Sequence, residues 1–223
     1  MAQEPANLRL DNNTALVVLV HGFNKDERDM GFLAQGLARQ YSILCPRLPT
    51  RFGSLQQAVA TLRQALDEQN WQQYPRVHFV AHSMGGLIVR QLLAEQPPDN
   101  LGHSVFIATP HDGSPLASLA DKLPGYSRLF QPLQSLLPGQ RWASWREDSQ
   151  AHLGIIAGSG TQDPLGTLID GESDGRVPLA STRCDDASDW MVLPLCHKAI
   201  HWHQDTLAAV QGFLERGRFG AAD

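Results

Sequence analysis

Little in this chain is available to hold it together from outside a core. It has only three cysteines, Cys45, Cys184 and Cys196. An odd count with no metal-like spacing excludes a disulfide framework and a cysteine metal site, and suits a reducing compartment. Cys184 and Cys196 are the one pair whose bridging the spacing leaves open. No window reaches the roughly 18 consecutive apolar residues of a membrane span. The first residues, Met1-Ala-Gln-Glu-Pro-Ala-Asn, lack a basic start followed by an apolar stretch, so no signal peptide is expected and a cytoplasmic location is. Positive charge is also short: 18 Lys and Arg stand against 23 Asp and Glu, a net charge of −5. Nucleic acid is therefore not an expected partner. Repeats and low-complexity linkers are absent. The 223 residues read as a single domain, residues 1–223, large enough to bury a full core without staples.

What is present centres on Val77-His-Phe-Val-Ala-His-Ser-Met-Gly-Gly86. It reads as a short apolar strand, a tight turn at Ser83 and the start of a helix. Ala81 and Gly85 flank Ser83 two residues to either side, the pattern of a nucleophile elbow with Ala at the first small position. So sharp a turn needs small neighbours. It lifts the serine hydroxyl clear of the backbone and places it at a helix N-terminus, where free N–H groups favour a developing anion.

The rest of the chain alternates strand and helix. Ala15 to Val20 is an unbroken apolar run, expected as a strand buried on both faces. A helix is expected over Asp29–Gln40, and a second strand over Tyr41–Cys45. Ser54 caps a long helix reaching about Trp71, with Leu55, Val59, Leu62 and Leu66 on one face. Ser104–Ala108, His152–Ala157 and Trp190–Leu195 are further strands, and Asp205–Leu214 is the closing helix. Residues 115–150, rich in Leu, Pro and Trp, break the rhythm. They read as short helices forming a cap, carried by Leu116, Leu119, Leu123, Leu129, Phe130, Leu133, Leu136, Leu137, Trp142 and Trp145. Six strands alternating with helices imply an α/β fold: a parallel sheet covered on both faces, joined by right-handed crossovers.

Ala-His-Ser-Met-Gly-Gly, with Val-His-Gly-Phe upstream, resembles the α/β-hydrolase superfamily, and its small lipase and esterase members in particular. The resemblance spans Thr14 to Leu214. It implies an α/β-hydrolase fold with a mostly parallel sheet of about six strands, lacking the first two strands of larger relatives, and a small helical cap. It also implies a serine nucleophile followed along the chain by an acid and then a histidine. Ser83 fills the first place. Asp174, in Ser-Asp-Gly-Arg-Val-Pro, resembles the acid-bearing Asp-Gly-x-Val-Pro loop, although Arg176 stands where relatives carry an apolar residue; Asp163 is the alternative acid. His197, just after the last strand, is the expected base. The expected oxyanion donors are the backbone N–H groups of Met84, the residue after the nucleophile, and of Phe23, in the loop after the first strand.

The other histidines have blander readings. His111 stands in Thr-Pro-His-Asp-Gly-Ser, which resembles a Thr-Pro-His-x-Gly-Ser segment of lipase-like hydrolases, and that resemblance implies a structural role; His82 is expected to pack beside the sheet because adjacent turn residues point apart. His201 stands four residues after His197, but no third ligand or H-E-x-x-H pattern accompanies the pair, so His201 and His203 are surface or packing residues. No metal or cofactor is expected. The expected function is cleavage of a small-molecule carboxylic ester through an acyl-enzyme. A thioesterase or acyltransferase using the same groups, and a non-catalytic binding protein on the same fold, are the alternatives. The natural substrate and the oligomeric state are not legible.

Overall fold

A computed structural model describes residues 14–123, 125, 130–139, 142, 151–161 and 164–220. Six strands form one sheet: β1 Leu16–Val20, β2 Ser42–Leu44, β3 Val77–His82, β4 Leu101–Ile107, β5 Leu153–Gly158 and β6 Asp189–Leu193. Their spatial order is β2-β1-β3-β4-β5-β6, and every neighbouring pair is parallel. The longer helices are α1 Gly31–Leu37, α2 Leu55–Glu68, α3 Met84–Glu95, α4 Pro115–Asp121 and α5 Gln204–Arg216.

All five residues of β1 are fully buried, as an apolar run without alternation requires in a sheet covered on both faces. Successive side chains still divide between the faces. Leu16, Val18, Val20, Phe79 and Ala81 pack with Leu62 and Leu66 of α2 and Leu87 of α3. Val17, Leu19, Val80, Val105 and Ile107 pack with Leu33 and Leu37 of α1 and Val210 and Phe213 of α5. Two cores thus sandwich the sheet, and both depend on crossovers that place α2 and α3 on one side and α1 and α5 on the other.

Local chemistry sets the boundaries. Ser54 caps α2 as its position predicts: its Oγ accepts from Gln57 N at 3.2 Å, and Gln57 Oε1 accepts from Ser54 N at 2.8 Å. The helix expected over Asp29–Gln40 is shorter. A 3-10 turn, Glu27–Met30, precedes it, started by Asp26, whose Oδ1 accepts from Arg28 N at 3.1 Å. The helix proper stops at Leu37. The last strand ends at Leu193 rather than Leu195, because Pro194 has no N–H for the ladder. Of the residues read as a cap, α4 and a 3-10 turn over Gln131–Leu136 are described; Leu129 and Trp145 lie outside the described residues. The three cysteines are unbridged. Among the described residues, no helix is long and apolar enough to cross a membrane.

At the amino-terminal edge of the sheet, away from Ser83, three histidine rings line up. His78 lies 5.8 Å from His103, and His103 lies 5.2 Å from His152. Burial pushes His78 down to about 4, although its ring N–H donates to the His103 carbonyl at 3.1 Å. The unfolded chain would protonate this group near 6.5. Stability is therefore complete above pH 6.5 and falls as pH drops from there to 4, where the unfolded chain takes up a proton that the fold refuses. We expect melting temperature to decline over this range, with His78 contributing about 3 kcal/mol at most. His78→Asn keeps a donor for the carbonyl and removes the titration. Thermal melts of this variant between pH 7 and 4 should show a shallower decline than the parent, and superimposable slopes would contradict the assignment.

Candidate active site

Ser83 stands between β3 and α3 with φ 54° and ψ −128°, a conformation that L-residues seldom adopt. Neighbouring groups hold it there. Ser83 N donates to Ile107 O at 2.8 Å, and Thr109 Oγ1 donates to Ser83 O at 2.9 Å. A Cβ on Gly85 would lie 2.5 Å from the Val20 carbonyl oxygen, so only glycine lets α3 start this close to the end of β1.

The base approaches from the loop after β6. His197 Nε2 lies 3.1 Å from Ser83 Oγ, and His197 Nδ1 lies 2.6 Å from Asp174 Oδ2. The second carboxylate oxygen of Asp174 accepts from Arg176 N at 2.9 Å and Val177 N at 2.8 Å. The backbone is tied as well, with His197 N donating to Asp174 O at 2.9 Å. The carboxylate is thus held by fixed donors on one oxygen and offers the other to the imidazole. Since a carboxylate only accepts, His197 Nδ1 carries the proton, leaving the Nε2 lone pair toward the serine. All three side chains are buried. Asp163, the alternative acid, lies outside the described residues.

The loop after β1 is anchored by a residue whose role the sequence does not announce. His21 is fully buried; its Nε2 accepts from Leu48 N at 3.0 Å, and its Nδ1 donates to Gly22 O at 3.1 Å. Burial lowers its pKa, consistent with this neutral form. Gly22 then passes so close that a Cβ there would lie 3.0 Å from Ser83 Cβ. Phe23 follows, its ring edge-on to Phe130 of the cap region at 6.2 Å between centroids. Among the described residues, the N–H groups of Phe23 and Met84 have no protein acceptor. Both are thus available as donors beside the serine.

Above Ser83 and His197 lies a cavity of about 640 Å³. Leu116, Leu119, Leu123, Leu133 and Leu136 of the cap region line it, together with Phe23 and Val177. Leu119 and Leu123 are about half exposed at its rim. Leu133 and Leu136 also belong to the core, and Leu137 and Phe130 pack against it, so the leucine-rich segment both lines the cavity and closes the core. Trp142 belongs to this packing too, its indole N–H donating to the His111 carbonyl at 3.1 Å. His111 is buried, away from the lining of the cavity, and burial pushes its imidazole down to about 3. His203 caps α5 by accepting from Asp205 N. His201 is not a surface residue: it is completely buried beside Asp29.

A weakly nucleophilic hydroxyl on an oriented imidazole, a buried carboxylate behind it and an apolar cavity in front form an arrangement suited to acyl transfer. Known proteins share the fold. The mature lipase BlEst2 of Bacillus licheniformis superposes with a TM-score of 0.72 at 19% identity, covering 93% of this chain and 93% of its own. A metagenomic carboxyl esterase superposes at 0.63 and 19% identity, covering 86% of this chain and 66% of its own. The phospholipase PlaB of Legionella pneumophila, in complex with thio-NAD, gives 0.64 and 21%, covering 76% of this chain and 44% of its own. No curated protein matches the sequence. The pattern of the alpha/beta hydrolase family matches residues 17–219, nearly the whole length. This chain belongs to the alpha/beta hydrolase family.

Proposed function

We propose that this protein is a serine hydrolase of carboxylic esters, with Ser83 as nucleophile, His197 as base and Asp174 as the acid that orients it. One observation carries the reading. An unbroken chain of contacts, 3.1 Å from hydroxyl to imidazole and 2.6 Å from imidazole to carboxylate, opens onto an apolar cavity. That several structural neighbours are lipases or esterases by name is consistent with it.

The chemistry follows from the geometry. Ser83 Oγ attacks the ester carbonyl carbon as its proton passes to His197 Nε2. Asp174 fixes the imidazole tautomer and stabilises the imidazolium. Phe23 and Met84 N–H groups donate to the oxyanion of the tetrahedral intermediate. Collapse expels the alcohol, which takes the proton from His197 Nε2, and leaves an ester on Ser83. Water, giving a proton to the same imidazole, then attacks that ester; the bond to Ser83 Oγ breaks, Oγ takes the proton back from His197 Nε2, and the carboxylic acid leaves. No metal or cofactor enters these steps.

Residues 1–223 act in this reading as one hydrolase domain whose insertion over residues 115–150 supplies the acyl wall. p-Nitrophenyl esters from acetate to octanoate test it. We expect kcat/KM to climb with acyl length over the short esters, since each methylene buried among Leu116, Leu133 and Leu136 contributes about 0.8 kcal/mol. Preference for acetate would remove the acyl-pocket assignment.

A further inference from the structure

Behind Ser83, three side chains from distant parts of the chain converge. Asp29 comes from the 3-10 turn before α1, His82 from the end of β3, and His201 from a 3-10 turn over Ile200–Trp202. One potential ligand atom from each of Asp29, His82 and His201 lies within 4.8 Å of the other two. Asp29 Oδ2 is 3.1 Å from His201 Nε2 and 3.8 Å from His82 Nδ1. Two imidazoles and a carboxylate are also a familiar transition-metal ligand set. The ring geometry opposes that use. His82 and His201 stack with centroids 3.8 Å apart and planes 23° from parallel. A metal lies in the plane of each imidazole, about 2 Å from its nitrogen. Planes so separated and so nearly parallel meet far beyond that reach, so both lone pairs do not point at one ion.

The cluster points toward the catalytic base instead. The other nitrogen of His82, Nε2, lies 3.1 Å from the backbone carbonyl oxygen of His197. A carbonyl only accepts, so Nε2 carries the proton. Burial, helped by the neighbouring His201 and His197, holds the His82 pKa well below its ordinary value, so the ring is a neutral single donor. The two rings also touch, with centroids 4.9 Å apart. His201 covers another face of His82, and burial keeps it largely neutral too, against the pull of Asp29. Asp29 stays charged: burial works against this, but His201 and Lys25 outweigh it and hold the carboxyl down to about 2. Lys25 Nζ donates to Asp29 Oδ1 at 2.9 Å. The ring of His82 is therefore fixed by hydrogen bonding toward His197 and by a charge-anchored ring behind it.

We propose that His82 is a positioning residue for His197, and that the Asp29–His201 pair holds His82 in place. His82 is covalently next to Ser83 and hydrogen-bonded to the residue that carries the base. It thus couples the nucleophile's strand to the base's loop and sets the distance between the two. This inference rests on the hydrolase reading of Ser83 and His197.

The test compares the parent protein with His82→Leu, His82→Gln and Asp29→Asn. Active sites are titrated with a fluorophosphonate, and kcat and KM are measured on p-nitrophenyl butyrate. For His82→Leu we expect kcat per titrated site to fall about 10- to 100-fold, the scale of a misplacement near 1 Å, with KM changed less than twofold. His82→Gln presents an amide N–H near the position of Nε2 and should recover much of the loss. Asp29→Asn should lower kcat by a smaller factor, again at constant KM. Unimpaired turnover per site in His82→Leu, or equal impairment of the Leu and Gln variants, would overturn the role. If His82→Leu does not fold, Asp29→Asn decides alone, and unchanged kcat there rejects the proposal. Loss of kcat in EDTA that zinc restores would replace positioning by metal binding. A parent protein that neither reacts with the fluorophosphonate nor turns over ester would remove the hydrolase reading and the role together, whereas a normal parent with a normal His82→Leu removes the role only.

Discussion

Ser83→Ala is expected to abolish ester hydrolysis and all labelling by a fluorophosphonate. The change deletes one oxygen. That oxygen lies 3.1 Å from His197 Nε2, its one hydrogen-bond partner among the described residues. The strained backbone at residue 83 is held by Ile107 O and Thr109 Oγ1 acting on main-chain atoms, which alanine retains. Melting temperature should therefore move little while kcat falls by about 10⁴-fold or more, to the background left by binding and oxyanion donors. Stoichiometric labelling of the alanine variant would show that the reactive serine lies elsewhere and would remove Ser83 from the mechanism.

Asp174→Asn is expected to be nearly as severe, for a different reason. The asparagine side chain fits the same volume. Its oxygen can accept from Arg176 N and Val177 N as Asp174 Oδ1 does now, at 2.9 and 2.8 Å. That orientation turns the amide NH₂ toward His197 Nδ1, where Asp174 Oδ2 accepts at 2.6 Å. A donor facing Nδ1 forces the imidazole proton onto Nε2, which then faces Ser83 with N–H instead of a lone pair. The base is present but in the wrong tautomer. A fall in kcat of about 10⁴-fold is expected, with KM close to the parent value. Activity within tenfold of the parent would mean that another carboxylate orients His197. Asp163 would then be the first to examine by the same substitution.

These expectations depend on residues that the sequence makes visible to different degrees. The elbow is visible because its constraint is local: a strand, a turn that admits only small neighbours and a helix occupy adjacent positions. The β1 run is visible because burial on both faces removes alternation, leaving Leu16–Val20 apolar throughout. Helix α2 is visible because its face repeats at helical spacing and Ser54 marks its start. Edges are less legible. Strand β2 spans only Ser42–Leu44 of the Tyr41–Cys45 expected. The Asp29 segment looks like the first turn of a helix, but Asp26 starts a tighter 3-10 turn ahead of it.

By itself, then, the sequence determined a parallel α/β sheet, the strand that ends at Ser83, and the order in which a serine, an acid and a histidine follow one another. Each of these is written in spacing along the chain or in resemblance to known motifs. The tertiary structure decided which groups meet. It brought Asp174 and His197 to Ser83, set the cap leucines against both core and cavity, and placed Asp29, His82 and His201 in one cluster. No periodicity encodes that cluster, because Asp29 lies in the 3-10 turn after β1, His82 at the end of β3 and His201 in the 3-10 turn after β6, and only folding brings these three places together. The sequence leaves His201 as a surface or packing residue; the folded chain closes over it and makes it a packing one.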